Sequence, residues 1–298
     1  LHGAASEEVA GVLGEMAEVH FFRGDYPQAL ACHQTSLKIY TQLHGTASKE
    51  VAEVWKDMAE IYRRYLKDHP QALACHQKRL EILSQLHGAA SKEVAGVLGE
   101  MAEIYGYDLK DHPQALDCHQ RRLEIYAKLH GAASEEVAGV LGMMAWVCGS
   151  DGLKDYPQAL ACLEKSLEIF TNLHGAANEE VARVWEDMAR VYGPDGLEDY
   201  PQALDCQQKR LEIYTQLHGE VSEEVAGVWE EMGDSYSSLK NFPQALRCLE
   251  KGLAILTQLR GKNDSAVRRV LKDTASVLSE IAQSHERRAQ WVEAENCW

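Results

Sequence analysis

Two kinds of side chain recur in this 298-residue chain at spacings that could do chemistry: thiols beside imidazoles, and clustered carboxylates. Cys32-His33, Cys75-His76 and Cys118-His119 are metal-ligand residue types. Cys32, Cys75, Cys118, Cys162, Cys206, Cys248 and Cys297 all hold one slot, after "QAL" or its equivalent, about 43 residues apart. Adjacent helical residues point about 100° apart, so each Cys-His pair is a poor chelate. If the slot lies on stacked helices, neighbouring Cα atoms are roughly 9–10 Å apart, beyond the reach of about 7 Å for a disulfide. The expectation is free, buried thiols in a reducing cytoplasmic setting, with no metal.

The carboxylates repeat with the chain's period, as in a scaffold, where a catalytic pair would stand in one place. No G-x-x-x-x-G-K-[ST], G-x-G-x-x-G, H-E-x-x-H, G-x-S-x-G or C-x-x-C occurs. The "DGLKD" and "DGLED" loops lack the acidic spacing of a calcium loop. Asn263-Asp264-Ser265 is a glycosylation sequon whose use is not expected in a leaderless chain with unpaired cysteines. The expectation is no enzyme and no cofactor. With 46 acidic against 30 basic residues the net charge is −16, against nucleic-acid binding. Residues 247–298 hold nine Lys/Arg and seven Asp/Glu, a net of +2, so residues 1–246 carry −18. A basic partner fits that balance. No apolar run approaches the roughly 18 residues of a membrane span.

The elements that must position these groups announce themselves by repetition. "LHG" begins at Leu1, Leu43, Leu86, Leu129, Leu173 and Leu217, and "LRG" at Leu259, at intervals of 42, 43, 43, 44, 44 and 42. A fixed period of this length signals a solenoid. Each unit reads as two helices. The first starts at Ser6, Ser48, Ser91, Ser134, Asn178, Ser222 and Asp264, N-cap residues followed mostly by acids. The second starts around Pro27, Pro70, Pro113, Pro157, Pro201 and Pro243 and ends at the glycine of "LHG". Length variation falls in the turn between the two. Periodicity places Val9, Val12, Leu13, Met16, Ala17 and His20 on one core face of the first helix, and Ala29, Leu30, His33, Leu37, Tyr40 and Leu43 on that of the second. Stacked neighbours are needed to complete such a core.

The unit resembles the tetratricopeptide repeat, W-x2-L-G-x2-Y followed by A-x3-F. Trp229, Met232, Gly233, Tyr236, Ala245 and Leu249 carry the pattern, as do Trp55, Met58, Ala59, Tyr62 and Ala72, and Trp185, Met188, Ala189, Tyr192 and Ala203. The long period and the "G-x-x-[SN]-[EK]-E-V-A" joint look like the kinesin-light-chain type. The resemblance implies an all-α fold, a right-handed α-solenoid superhelix of stacked helix-turn-helix repeats. Its units are 1–42, 43–85, 86–128, 129–172, 173–216, 217–258 and a truncated seventh, 259–298. Leu1-His2-Gly3 reads as the tail of a preceding helix, and "WVEAENCW" as the start of a second helix in the seventh unit.

The resemblance also assigns a stripe of the first helix to a concave, ligand-contacting surface. Gly11, Gly14, Glu15 and Glu18 form it in the first unit. It continues through Asp57 and Glu60, Glu100 and Glu103, Met143 and Trp146, Asp187, and Glu230, Glu231 and Asp234. The residues of the family's carboxylate clamp are absent: Gly14, Glu18, Lys56, Glu60, Gly99 and Glu103 stand there. The first and fourth units read "LHGAASEEVAGVLGEMAEV" and "LHGAASEEVAGVLGMMAWV", so only Glu15 and Glu18 change, to Met143 and Trp146. One reading is an apolar hot spot on an acidic groove. The other is that Trp146 packs on a neighbouring helix and fills a gap left by Gly142. The expected function is a non-catalytic scaffold binding a protein or peptide with basic residues. The alternatives are end-to-end self-assembly, and the sensor array of a larger regulated, nucleotide-binding protein.

Overall fold

The expected helix starts close on their own side chains. Ser6, Ser48, Ser91, Ser134 and Ser222 each accept a hydrogen bond from the N–H three residues on, and Asn178 and Asp264 from the N–H two residues on. Each such cap is worth about 1 kcal/mol. They open α1 (Glu7–Phe22), α3 (Lys49–Glu60), α5 (Lys92–Glu103), α7 (Glu135–Cys148), α9 (Glu179–Tyr192), α11 (Glu223–Ser238) and α13 (Ser265–Asn296). Asp25, Asp68, Asp111, Asp155 and Asp199 accept in the same way from Gln N–H groups. They open α2 (Tyr26–His44), α4 (His69–His87), α6 (His112–His130), α8 (Tyr156–His174) and α10 (Tyr200–His218), and Asn241 precedes α12 (Phe242–Arg260). Gly45, Gly88, Gly131, Gly175, Gly219 and Gly261, which follow "LH" or "LR", have φ between 81° and 92°, where a side chain is strained.

This computed structural model describes residues 6–149 and 152–296, which contain no strand. The reading of Leu1-His2-Gly3 as the tail of a preceding helix lies outside them. The chain divides into two compact units, residues 1–153 and 154–298. The first holds α1–α7 and the second α8–α13.

Inside each unit the helices pack through small residues. Ala17, Ala29 and Ala59 are fully buried, which lets Leu30, Val54, Met58, Ile61 and Cys75 close around them. In the second unit Leu211, Val225, Val228, Met232 and Cys248 pack together. Truncating Met58 to Ala would cost about 2–5 kcal/mol through the cavity it leaves. The described cysteines are all free thiols, buried except the half-buried Cys32. Burial pushes Cys75, Cys118 and Cys206 up to about 11, which makes them inert at neutral pH.

Three expectations need correction. The core face assigned to α1 is buried only in part: Ala17 is fully buried, but Met16 is 45% exposed, while its counterpart Met58 is 3% exposed. Val12 and Val9 are likewise open. In α3 that face meets α2, and no described helix precedes α1 to cover it. The added residue of the 43-residue intervals is not simply loop. It widens the ends of α3 and α5 into π-helical turns, Ile61–Leu66 and Ile104–Asp108, a rare helical form seen mostly as single turns. Finally, among the described residues the seventh unit shows no second helix. One helix runs from Ser265 to Asn296, because nothing between offers the glycine or Asp-x-Pro signal that ends and restarts the others.

Candidate functional site

The stripe residues lie on successive first helices, and the structure sorts them by what their neighbours supply. Glu15 and Glu18 on α1, and Asp57 and Glu60 on α3, are exposed. Glu18, Asp57 and Glu60 share a cavity of about 310 Å³ with Gly14, Phe21, Phe22, His33 and Ile61. Phe22 is 83% exposed. Neither aromatic nor His33 belonged to the expected stripe. Asp57 keeps an edge open to solvent, but the cavity walls desolvate its carboxyl; that, and then Glu53, Glu60 and Glu18, raise it to about 6, with Lys56 pulling the other way. Burial outweighs the pull of Glu18 and lowers His33, so acids rather than an imidazolium set the local charge.

Further along, the acids are engaged. Glu103 holds Arg63 at 2.8 Å, and Asp108 holds the same guanidinium at 2.7 Å. Glu100 pairs with Arg79 and lies 3.3 Å from Nδ1 of His76. Burial, then Arg79, drives His76 down to about 4, so this imidazole is neutral at pH 7. In the second unit Asp187 pairs with Arg190 at 2.8 Å, Glu230 with Arg269 at 2.8 Å and Glu231 with Arg210 at 2.7 Å. Burial raises Asp187, Glu230 and Asp234. Asp234 lines a second cavity, about 260 Å³, with Glu186, Arg190, Tyr200 and Glu231. An expectation built from first helices alone made the stripe one acidic wall, and it missed these partners. Arg79 and Arg210 sit on second helices, 21 residues before Glu100 and Glu231. The "KRLE" of α4 and α10 set against the acid 21 residues on is the signal that could have found them.

The same interval explains the exception. Asp57 lies 21 residues after Ser36, which has no charge to offer and instead donates its hydroxyl to the Ala10 carbonyl at 3.0 Å. Asp57 is therefore left without a guanidinium.

Met143 is 49% exposed, but Trp146 is half-buried. Its indole lies 4.3 Å from the ring of Tyr107 and 6.3 Å, edge-on, from that of His112. It also covers Gly106: a Cβ there would meet the indole at 3.2 Å. The gap it fills belongs to Gly106, while Gly142 has nothing within 4 Å. Gly106 stands where the preceding unit has Arg63, and Trp146 where the following helix has Glu103, 40 residues on in both cases. An ion pair at one joint is thus a glycine-tryptophan contact at the next.

Among the described residues no three of His, Cys, Asp and Glu gather as a metal would require, and no helix is long and apolar enough to cross a membrane. The model of the tetratricopeptide repeat matches residues 8–85, 152–216 and 196–258, more than half of the chain. The chain belongs to the tetratricopeptide-repeat family. No curated protein matches it. Solved structures share the fold. BtubC (BKLC) from P. vanneervenii is 19% identical over 79% of this chain and 92% of its own, with a TM-score of 0.60. The nearly identical TPR-like repeats of a Podosopora anserina protein assigned as a kinesin light chain are 13% identical, over 70% of this chain and 96% of theirs, with a TM-score of 0.58. The C-terminal part of a TPR protein from Cytophaga hutchinsonii is 14% identical over 90% of this chain and 89% of its own, with a TM-score of 0.56. The stacked helix-turn-helix repeat is therefore the fold, and its members generally mediate protein–protein interactions.

Proposed function

We propose that this tetratricopeptide-repeat chain is a non-catalytic scaffold that binds an extended or helical segment of another protein along the stripe. A basic side chain of the ligand enters the cavity of Glu18, Asp57 and Glu60, and an apolar one lies on Met143 beside the Tyr107–Trp146 ring pair. The observation that supports this most is Asp57: a carboxyl in a cavity, raised to about 6 and without a guanidinium opposite it. A cation there would favour the ionised form. Within the first unit the paired acids Glu100 and Glu103 fix the frame and Glu15 adds negative potential at its surface; within the second, Asp187, Glu230 and Glu231 are paired and Asp234 adds negative potential.

The probe is a pool of acetylated, amidated dodecapeptides, each with three Lys and three Leu or Trp at random positions. Affinity falls at least fivefold between about 50 and 300 mM salt, as Debye screening shortens, and drops sharply in Trp146→Glu. A pool that binds regardless of salt and of Trp146→Glu would refute the stripe as the site.

A further inference from the structure

We infer that Arg122 is a ready-made receptor for a carboxylate of the bound protein segment, an Asp or Glu flanked by an apolar residue. This rests on the scaffold reading above and names the ligand chemistry at one point of the stripe. Three second helices carry an arginine at the same place, Arg79, Arg122 and Arg210. Arg79 has Glu100 21 residues on, and Arg210 has Glu231 21 residues on, with Glu186 adding a second carboxylate at 2.8 Å. For Arg122, the residue 21 positions on is Met143. The position that corresponds to Glu186 is Gly99. Both acids that could neutralise this guanidinium have been replaced, and among the described residues no carboxylate lies within 4.0 Å of it.

Its surroundings hold it in place without satisfying it. The guanidinium lies 5.4 Å from the centre of the Tyr126 ring. A Cβ on Gly99 would come within 3.3 Å of its carbon, so this mid-helix glycine keeps the arginine's position open. The half-buried side chain has its Nε shut away from solvent with no acceptor. Arg79 and Arg210 share that orphaned Nε, but their outer nitrogens grip acids. His119 adds no second cation beside it: burial, and then Arg122, push it down to about 4, so it is neutral. A fixed cation with a fork of N–H donors and no counter-ion matches a carboxylate better than any other group on a protein. Met143, occupying the position of the missing acid and 49% exposed, gives that carboxylate an apolar neighbour.

Two pools of acetylated, amidated dodecapeptides test this, one with a central Leu-Glu-Leu and the other with Leu-Gln-Leu in otherwise random sequence, read by fluorescence anisotropy. The Glu pool should bind the wild type at least tenfold tighter than the Gln pool. Arg122→Gln should erase that preference. Met143→Glu should erase it as well, while melting at a higher temperature than the wild type, because its own carboxylate takes the position of Glu100. Equal binding of the two pools, or a preference that survives Arg122→Gln, overturns the inference. Equal binding that is lost in Trp146→Glu leaves the scaffold reading standing and removes only Arg122. Failure of these pools and of the Lys-bearing pool alike removes both.

Discussion

Asp57 illustrates how one missing partner sets the behaviour of a residue. Its folded carboxyl holds a proton up to about pH 6, through burial first and Glu53 next, whereas an unfolded aspartate loses its proton near 4. Between those values the folded state binds the extra proton, so this residue makes the fold less stable as pH rises from about 4 to 6. His76 and His119 act in the opposite sense. Their folded values of about 4 lie below the unfolded 6.5, so their contribution is lost as pH falls from about 6.5 to 4. Asp57→Asn should therefore raise the melting temperature at pH 8 and leave it unchanged below pH 4. Thermal melts at the two pH values decide this, and equal shifts at both would mean that the carboxyl is not perturbed.

Between elements, the joint made by Gly106 and Trp146 is a substitute for the joint made by Arg63 and Glu103. Ion pair and ring contact solve the same problem of what fills the space between one π-helical turn and the next first helix. Trp146→Glu alone leaves a carboxylate facing Gly106 and strips Tyr107 of its ring contact. Gly106→Arg alone drives a long side chain into the indole. Each should destabilise by about 1–3 kcal/mol, the usual range for a packing defect or an unpaired buried group, and the double variant should recover most of the loss. Urea denaturation of the four proteins gives the coupling energy, and strict additivity would deny the equivalence of the two joints. Helix starts and stops were legible because Ser, Asp, Pro and Gly act within three or four residues of chain. The π-helical turns and the packing of Trp146 were not legible, since both depend on what the adjoining hairpin presents.

At the scale of the whole molecule, the charge of −16 overstates what a ligand meets, because arginines on second helices absorb much of the stripe. The repeat and the helix pairs of the first six units could be read from periodicity. Which stripe residues remain available could not, since that requires setting each second helix against the first helix of the following unit. Laid out so, Arg79 cancels Glu100 and Arg210 cancels Glu231, whereas Asp57 faces Ser36 and Arg122 faces Met143. On the scaffold function proposed above, recognition is assigned to those uncancelled groups. The most direct measurement is the affinity of the Lys-bearing dodecapeptide pool at pH 5.0 and pH 7.5, by isothermal titration, for the wild type and for Asp57→Asn. With a carboxyl near 6, only about a tenth is ionised at the lower pH, so the wild type should bind about tenfold more tightly at the higher one, and Asp57→Asn should bind weakly and equally at both. Equal affinity at the two pH values in the wild type, matched by Asp57→Asn, would contradict the account.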